Sequence, residues 1–240
     1  MYGTELSEIY ELIFRSRGKN WVAEAKGVAE LIRAHSPAAD SLLDVACGTG
    51  AHLRTLRKFF SYVEGLEISP PMRQKALEAL PGVAVHEGDM REFSLGRRFE
   101  AVTCLFNAIG YVSTPEEMRR AVRAMADHLE PGGVLVVEPW WFPEKFIEGY
   151  VAGDVVREEG RVIARVSHST RQGRATRMEA HFTVADRDGI RSFVEIDLLA
   201  LFTLEEYLEA FAAAGCPATY LPGGLTGCGL FVGTRDSGPS

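Results

Sequence analysis

The chain has 240 residues, of which 46% are apolar and 25% charged, and a formal net charge of -7. These proportions fit an ordinary globular protein, and the acidic balance forfeits the counterion release behind most binding to nucleic acid. No apolar run reaches the roughly eighteen residues of a spanning helix, so neither nucleic acid nor membrane is expected as a partner.

Residues 5–35 carry apolar positions at helical spacing, interrupted by SRGKN at 16–20, which predicts two helices or a helix and a lid-like turn. The acids in the first fourteen residues stand where an export signal would carry basic ones, so a cytoplasmic protein is expected. SLLDVA (41–46) is a first strand, CGTGAH a turn and LRTLRKFF an amphipathic helix. YVEGLEIS (62–69) follows with its helix PPMRQKALEAL, then the strands VAVHEGDM (83–90) and FEAVTCLF (99–106). PEEMRRAVRAMADHL is a helix with an acidic first turn, and GVLVVEPWW (133–141) a fifth strand. Alternation of this kind predicts a parallel sheet with right-handed crossovers.

From 155 to 202 the period drops to two in RVIARVSHS, RMEAHFTVA and SFVEIDLLALF, separated by REEG, TRQGRA and DRDG. The helix LEEYLEAFAAAG and the runs ATYLPGG and GLFVGT then close the sheet. The predicted fold is α/β: a doubly wound, mostly parallel seven-stranded sheet with an antiparallel β insertion. Residues 1–154 form the core with an amino-terminal helical lid, 155–202 the insertion and 203–240 the return to the core.

Chemistry concentrates at strand ends. In DVACGTG, Asp44 to Gly50, the glycines Gly48 and Gly50 lie where a first strand meets its helix and backbone must approach a ligand closely. A dinucleotide site would place a third glycine at position 53, which is Leu53. S-adenosylmethionine (AdoMet) has no pyrophosphate; its carboxylate suits a helix amino terminus and its ammonium suits Asp44. Glu67, nineteen residues after Gly48, stands where a carboxylate accepts ribose hydroxyls. Asp89 is placed for the adenine amino group, with the Met90 backbone against the ring. The four cysteines form no CxxC pair and no zinc spacing with histidine, so reduced thiols and no metal are expected. Arg165, Arg171, Arg174 and Arg177 make a local basic patch suited to a small diphosphate.

These motifs resemble the class I AdoMet-dependent methyltransferases. LLDVACGTG, HEGDMREFSLGRRF, HLEPGGVLVVEPWWFPE, ARVSHS and GLFVG, spread over nearly the whole chain, are similar to the N,N-dimethyltransferases that act on thymidine-diphosphate (dTDP) deoxyaminosugars of macrolide antibiotics. The resemblance implies that amino-terminal aromatics close over the cofactor and that the insertion helps to hold the nucleotide. By position Tyr10, Trp21, Ala46 and Leu105 join the cofactor pocket, Tyr2, Trp140, Arg165 and Ser167 face the substrate, and His168 lies beside it. Relatives often carry an arginine where GGLTGCG has Cys228, so the phosphate grip is expected to be weaker or supplied by another arginine. At position 111 some relatives carry histidine; Tyr111 is expected to orient the amine or pass its proton to water, a helpful rather than essential role because methyl transfer chiefly needs alignment. The alternative is an O- or C-methyltransferase of another small natural-product intermediate, since fold and cofactor site do not fix the acceptor. Exposed edges of the insertion also make a homodimer an expectation.

Overall fold

The computed structural model describes residues 3–237. Two helices open the chain: α1 (Thr4–Ser16) and α2 (Trp21–His35), the latter capped by Asn20, whose side chain accepts the Ala23 N–H at 3.0 Å. The units β1 (Ser41–Val45), α3 (Leu53–Leu56), β2 (Tyr62–Glu67), α4 (Pro70–Ala79), β3 (Ala84–Glu87) and β4 (Phe99–Cys104) follow in alternation. A 3-10 helix at Ala108–Tyr111 leads to α5 (Pro115–Asp127) and β5 (Leu129–Val137). Ser69 and Thr114 cap α4 and α5 with proline in the first turn, so both helices start where their sequence prescribes.

The first sheet has the order β10-β11-β5-β4-β1-β2-β3, with β10 at Ala218–Leu221 and β11 at Leu230–Thr234. β1 pairs in parallel with both β2 and β4, which makes it the switch point, and β11 runs antiparallel to its neighbours β5 and β10. The expected seven-stranded, mostly parallel sheet is therefore the one found. Its strands read as near-continuous apolar runs because both faces are covered. On one face Leu43, Val102, Leu135 and Val137 pack with Met118 and Val122 of α5 and with Tyr207 and Phe211 of α6 (Leu204–Ala213). On the other, Leu42, Ala101, Val134 and Val136 pack with Ala25, Val28 and Ile32 of α2.

The second sheet is a four-stranded antiparallel meander: β6 (Tyr150–Glu158), β7 (Arg161–Gln172), β8 (Ala175–Asp186) and β9 (Gly189–Ala200). It begins earlier than the sequence pattern predicts. The segment YVAGDVVRE is a strand although Gly153 interrupts its alternation, and the long register with β7 holds it in place. Val156, Ile163, Phe182 and Val184 of this sheet pack against Leu6, Ile9, Tyr10 and Ile13 of α1. The amino-terminal helix is thus clamped between the second sheet and the strand ends of the first. Two other elements are shorter than predicted: α3 covers only Leu53–Leu56 of LRTLRKFF, and β3 ends at Glu87.

Candidate active site

At the turn after β1 the backbone takes positive φ at Ala46 (57°), Gly48 (58°) and Gly50 (74°). A side chain at Gly50 would bring its Cβ within 2.5 Å of Leu80 Cδ1, so this glycine lets the turn pack under α4. Gly50 supports the site from behind, whereas Tyr10, Trp21, Asp44, Ala46, Gly48, Glu67, Asp89, Met90 and Leu105 all line one cavity of about 300 Å³ at the strand ends.

The electrostatics of this cavity are those of a cation site. Asp44 is 2% exposed, accepts the Thr103 hydroxyl at 2.7 Å, and burial pushes its carboxyl up to about 7. Glu67 accepts the Gly48 N–H at 2.8 Å and the Ser69 N–H at 2.7 Å, and burial raises its carboxyl too. Among the described residues, neither acid has a basic side chain bonded to it. A ligand bearing an ammonium and a sulfonium relieves both, and a pyrophosphate would be repelled; the residues present fit AdoMet. Asp89 differs: Arg91 Nε bonds both its oxygens at 3.0 Å, which holds this carboxyl below its usual range, and Arg91 reaches on to Glu117 at 2.9 Å. Asp89 therefore stays ionised and acceptor-only on the wall of the same cavity.

A second cleft of about 760 Å³ adjoins the first, and Phe106 and Tyr111 line both. Phe106 (φ 53°) and Asn107 (φ 63°) form a left-handed pair after β4. Glu138 accepts the Phe106 N–H at 2.6 Å, and the Asn107 amide donates to the Pro139 carbonyl, which pins this partition. Gly110 lets the 3-10 helix approach the second sheet, since a Cβ there would lie 3.0 Å from Trp140 Cβ and 3.2 Å from Leu199 Cδ2. Trp140, Arg165 and Ser167 line the second cleft. Trp140 Nε1 donates to Thr176 Oγ1 at 3.2 Å. Arg165 is 4% exposed, its nearest carboxylate is Asp154 at 3.7 Å, and its Nη1 has no hydrogen-bond partner among the described residues. Burial lowers its affinity for its proton, as expected of a guanidinium short of acceptors.

Two expectations change. His168 is exposed on the face of β7 opposite Arg165 and Ser167, because successive strand residues alternate, and so lies away from the cleft. The basic patch does not assemble: Arg174 is bonded to Glu206 at 2.5 and 2.7 Å, Arg177 to Glu179 at 2.8 Å, and Arg171 is exposed beyond the cleft. Arg17, Lys19, Lys145 and Arg165 are the basic residues on the cleft wall instead. Cys228 is buried beside Thr226 and Asn107, where burial pushes its thiol up to about 11, and contributes nothing to that wall. Tyr2 lies outside the described residues.

Asp197, Lys19, Glu24 and Glu11 belong to the site but lie in no sequence motif. Tyr111 Oη donates to Asp197 Oδ1 at 2.8 Å, and Asp197 is a buried acid whose carboxyl is raised by burial. Lys19 Nζ lies 2.7 Å from Glu24 and 3.6 Å from the Phe106 ring centroid, and Glu24 is bonded to buried His52 at 2.8 Å. Glu11 of α1 bonds Arg54 at 2.9 Å and the Thr49 hydroxyl at 2.7 Å, fastening α1 to the glycine turn. SRGKN was legible as a lid turn, but nothing in its spacing assigned Lys19 a partner.

Residues 42–133 match the family described as Methyltransferase domain. Over 97% of this chain and 99% of the other, the sequence is 53% identical to the dTDP-3-amino-3,4,6-trideoxy-alpha-D-glucopyranose N,N-dimethyltransferase of Streptomyces venezuelae. The chain belongs to the dTDP-aminosugar N,N-dimethyltransferase family. Among solved structures, it is similar to a SAM-bound aminopentose methyltransferase from Micromonospora echinaspora involved in calicheamicin biosynthesis, with 61% identity, 95% and 96% of the two chains covered and a TM-score of 0.89. A sugar N-methyltransferase from a Streptoalloteichus species is 48% identical over 98% of this chain and 96% of the other, with a TM-score of 0.90. For a member of this N,N-dimethyltransferase family, a cavity suited to a cation beside a cleft with an under-bonded arginine is a coherent pair of sites.

Proposed function

We propose that the chain transfers methyl groups from AdoMet to the amine of a dTDP-linked deoxyaminosugar, giving an N,N-dimethylamino sugar. The observation that carries this reading is the meeting of two cavities at Phe106 and Tyr111, one holding buried acids with no bonded basic side chain among the described residues and the other basic and aromatic walls. Bound AdoMet supplies an electrophilic methyl on a sulfonium. Asp44 takes its ammonium, Glu67 its ribose hydroxyls, and Asp89 with Met90 its adenine; Tyr10 and Trp21 close the cavity. Aromatic faces of Tyr10 and Phe106 favour a cation there by about 0.5–2 kcal/mol. Arg165 and Ser167 take the diphosphate with help from Arg17 and Lys19, while Trp140 offers an apolar face to the nucleotide sugar. Tyr111 orients the amine across the partition. No covalent nucleophile is required, because alignment of amine and methyl carries most of the rate, up to about 7–11 kcal/mol in ideal cases.

The test is product analysis with labelled AdoMet and dTDP-aminosugars. A released monomethyl product should precede the dimethyl form, since a monomethylamine is only slightly larger and re-enters the same cleft. The free aminosugar should react poorly because its remote binding energy is gone. Equal rates with and without the nucleotide, or methylation of hydroxyl-only sugars alone, would sink the assignment and favour an O-methyltransferase.

The same reading makes this an acidic cytoplasmic enzyme with no polymer substrate; no helix among the described residues is long and apolar enough to cross a membrane. It also makes it a homodimer paired through the second sheet, whose edge strands expose Val151 and Val155 on β6 and Ile196 and Leu198 on β9. Sedimentation at a monomer's mass at all working concentrations would remove the dimer.

A further inference from the structure

On β9 the usual inside-out rule is reversed. Val194, Ile196 and Leu198 are 48%, 50% and 48% exposed, while the alternating set containing Glu195 and Asp197 is turned inward and Asp197 is 8% exposed. Burying an acid costs free energy unless it is bonded, and here its bond goes to the one tyrosine that lines both cavities. Asp197 itself lies behind Tyr111 and lines neither cavity. Because the Tyr111 hydroxyl donates its only proton to Asp197, its oxygen meets any other group solely as an acceptor.

We infer that Asp197 is a positioning residue that fixes the Tyr111 hydroxyl as an acceptor toward the cleft and takes up, through it, the proton that the substrate amine must lose. This rests on the amine-methylation reading above. An alkylamine enters mostly as its ammonium near neutral pH. One N–H bond breaks with its electron pair left on nitrogen, and the proton joins Tyr111 Oη. The hydroxyl's own proton moves at the same time to Asp197 Oδ1. Tyrosine is neutral before and after, the carboxylate becomes a carboxylic acid, and the amine becomes nucleophilic. The proton returns to solvent by the same path after the product leaves. The charged or titratable groups of the described residues that act on Asp197 are Tyr111, Arg165 on β7, Glu195 on its own strand and Tyr10 on α1. Burial favours its protonated form, while the hydrogen bond from Tyr111 and the charge of Arg165 oppose it.

The experiment compares wild type, Asp197→Asn, Tyr111→Phe and the double variant on a dTDP-aminosugar across pH. Without the relay only the free amine reacts, so the defect in kcat should be about tenfold to a hundredfold near pH 6.5 and should shrink at least about tenfold by pH 9. Both single variants should show this pattern, and the double variant should be no worse than either. Each should bind S-adenosylhomocysteine within about threefold of wild type, which reports an intact fold. A defect of equal size at every pH, additive losses in the double variant, or no defect overturns the role of Asp197. Absence of methylation by the wild type on every dTDP-aminosugar overturns the reading of the site itself, a separate result.

Discussion

Glu67 Oε2 accepts the Gly48 N–H at 2.8 Å, so the end of β2 holds the turn that follows β1. Its other oxygen takes the Ser69 N–H at 2.7 Å, yet each carboxylate oxygen has a second lone pair for a ribose hydroxyl. Glu67→Ala should weaken AdoMet binding by about 1–3 kcal/mol, the cost of unpaired hydroxyls and a loosened turn. Calorimetry showing unchanged affinity would remove Glu67 from the site.

Asp44 makes cofactor binding depend on pH. Its folded carboxyl sits at about 7 against an ordinary 3.8, so between those values the ligand-free fold binds a proton that the unfolded chain has released. The fold's preference for that proton therefore costs stability as pH rises through this window. An ammonium from the ligand favours the ionised form, so affinity for S-adenosylhomocysteine should rise from about pH 6 to about pH 8, with proton release at the lower pH. Titrations in buffers of different ionisation heat measure that release; its absence, with a flat affinity, would separate Asp44 from the ligand.

Tyr111→Phe should leave turnover within about a hundredfold of wild type at neutral pH, the low end of what acid-base groups contribute. Alignment by the Phe106 partition survives that change. A loss of about four decades or more in single-turnover rate, with S-adenosylhomocysteine binding intact, would mean that proton removal rather than alignment dominates.

Neighbouring residues of β7 should behave oppositely. Arg165→Ala should raise KM for the nucleotide sugar about tenfold or more, because charge-assisted bonds to phosphate are lost. His168→Ala, on the outer face, should change kcat/KM by less than about twofold. A large effect at His168 with none at Arg165 would mean the substrate lies on the other side of the sheet.

The strand ends of the parallel sheet were legible because each is an apolar run closed by a turn, and Asp44, Glu67 and Asp89 sit at three such ends. That periodicity located them and the structure brings them to one cavity. The second sheet was harder to read. Gly153 concealed β6, and on β9 the alternation alone does not say which set is buried: the apolar Val194, Ile196 and Leu198 are exposed and Asp197 is inside. The arginine patch failed for a related reason: closeness in sequence says nothing about which face of a meander each residue takes, and Arg174 and Arg177 found acids outside the cleft.

The fastening of α1 to the glycine turn bears on the rhythm of turnover. Glu11 and Arg54 are 23% and 36% exposed, and an ion pair that wet is worth only about 0–1 kcal/mol. A twice-methylated sugar consumes two donors, so the spent donor must leave and a fresh one enter between the two transfers. A solvated carboxylate and guanidinium beside the glycine turn make a tie that yields readily to such an exchange. Ile9 and Ile13, each 1% exposed and packed with the second sheet, are the stronger hold on α1.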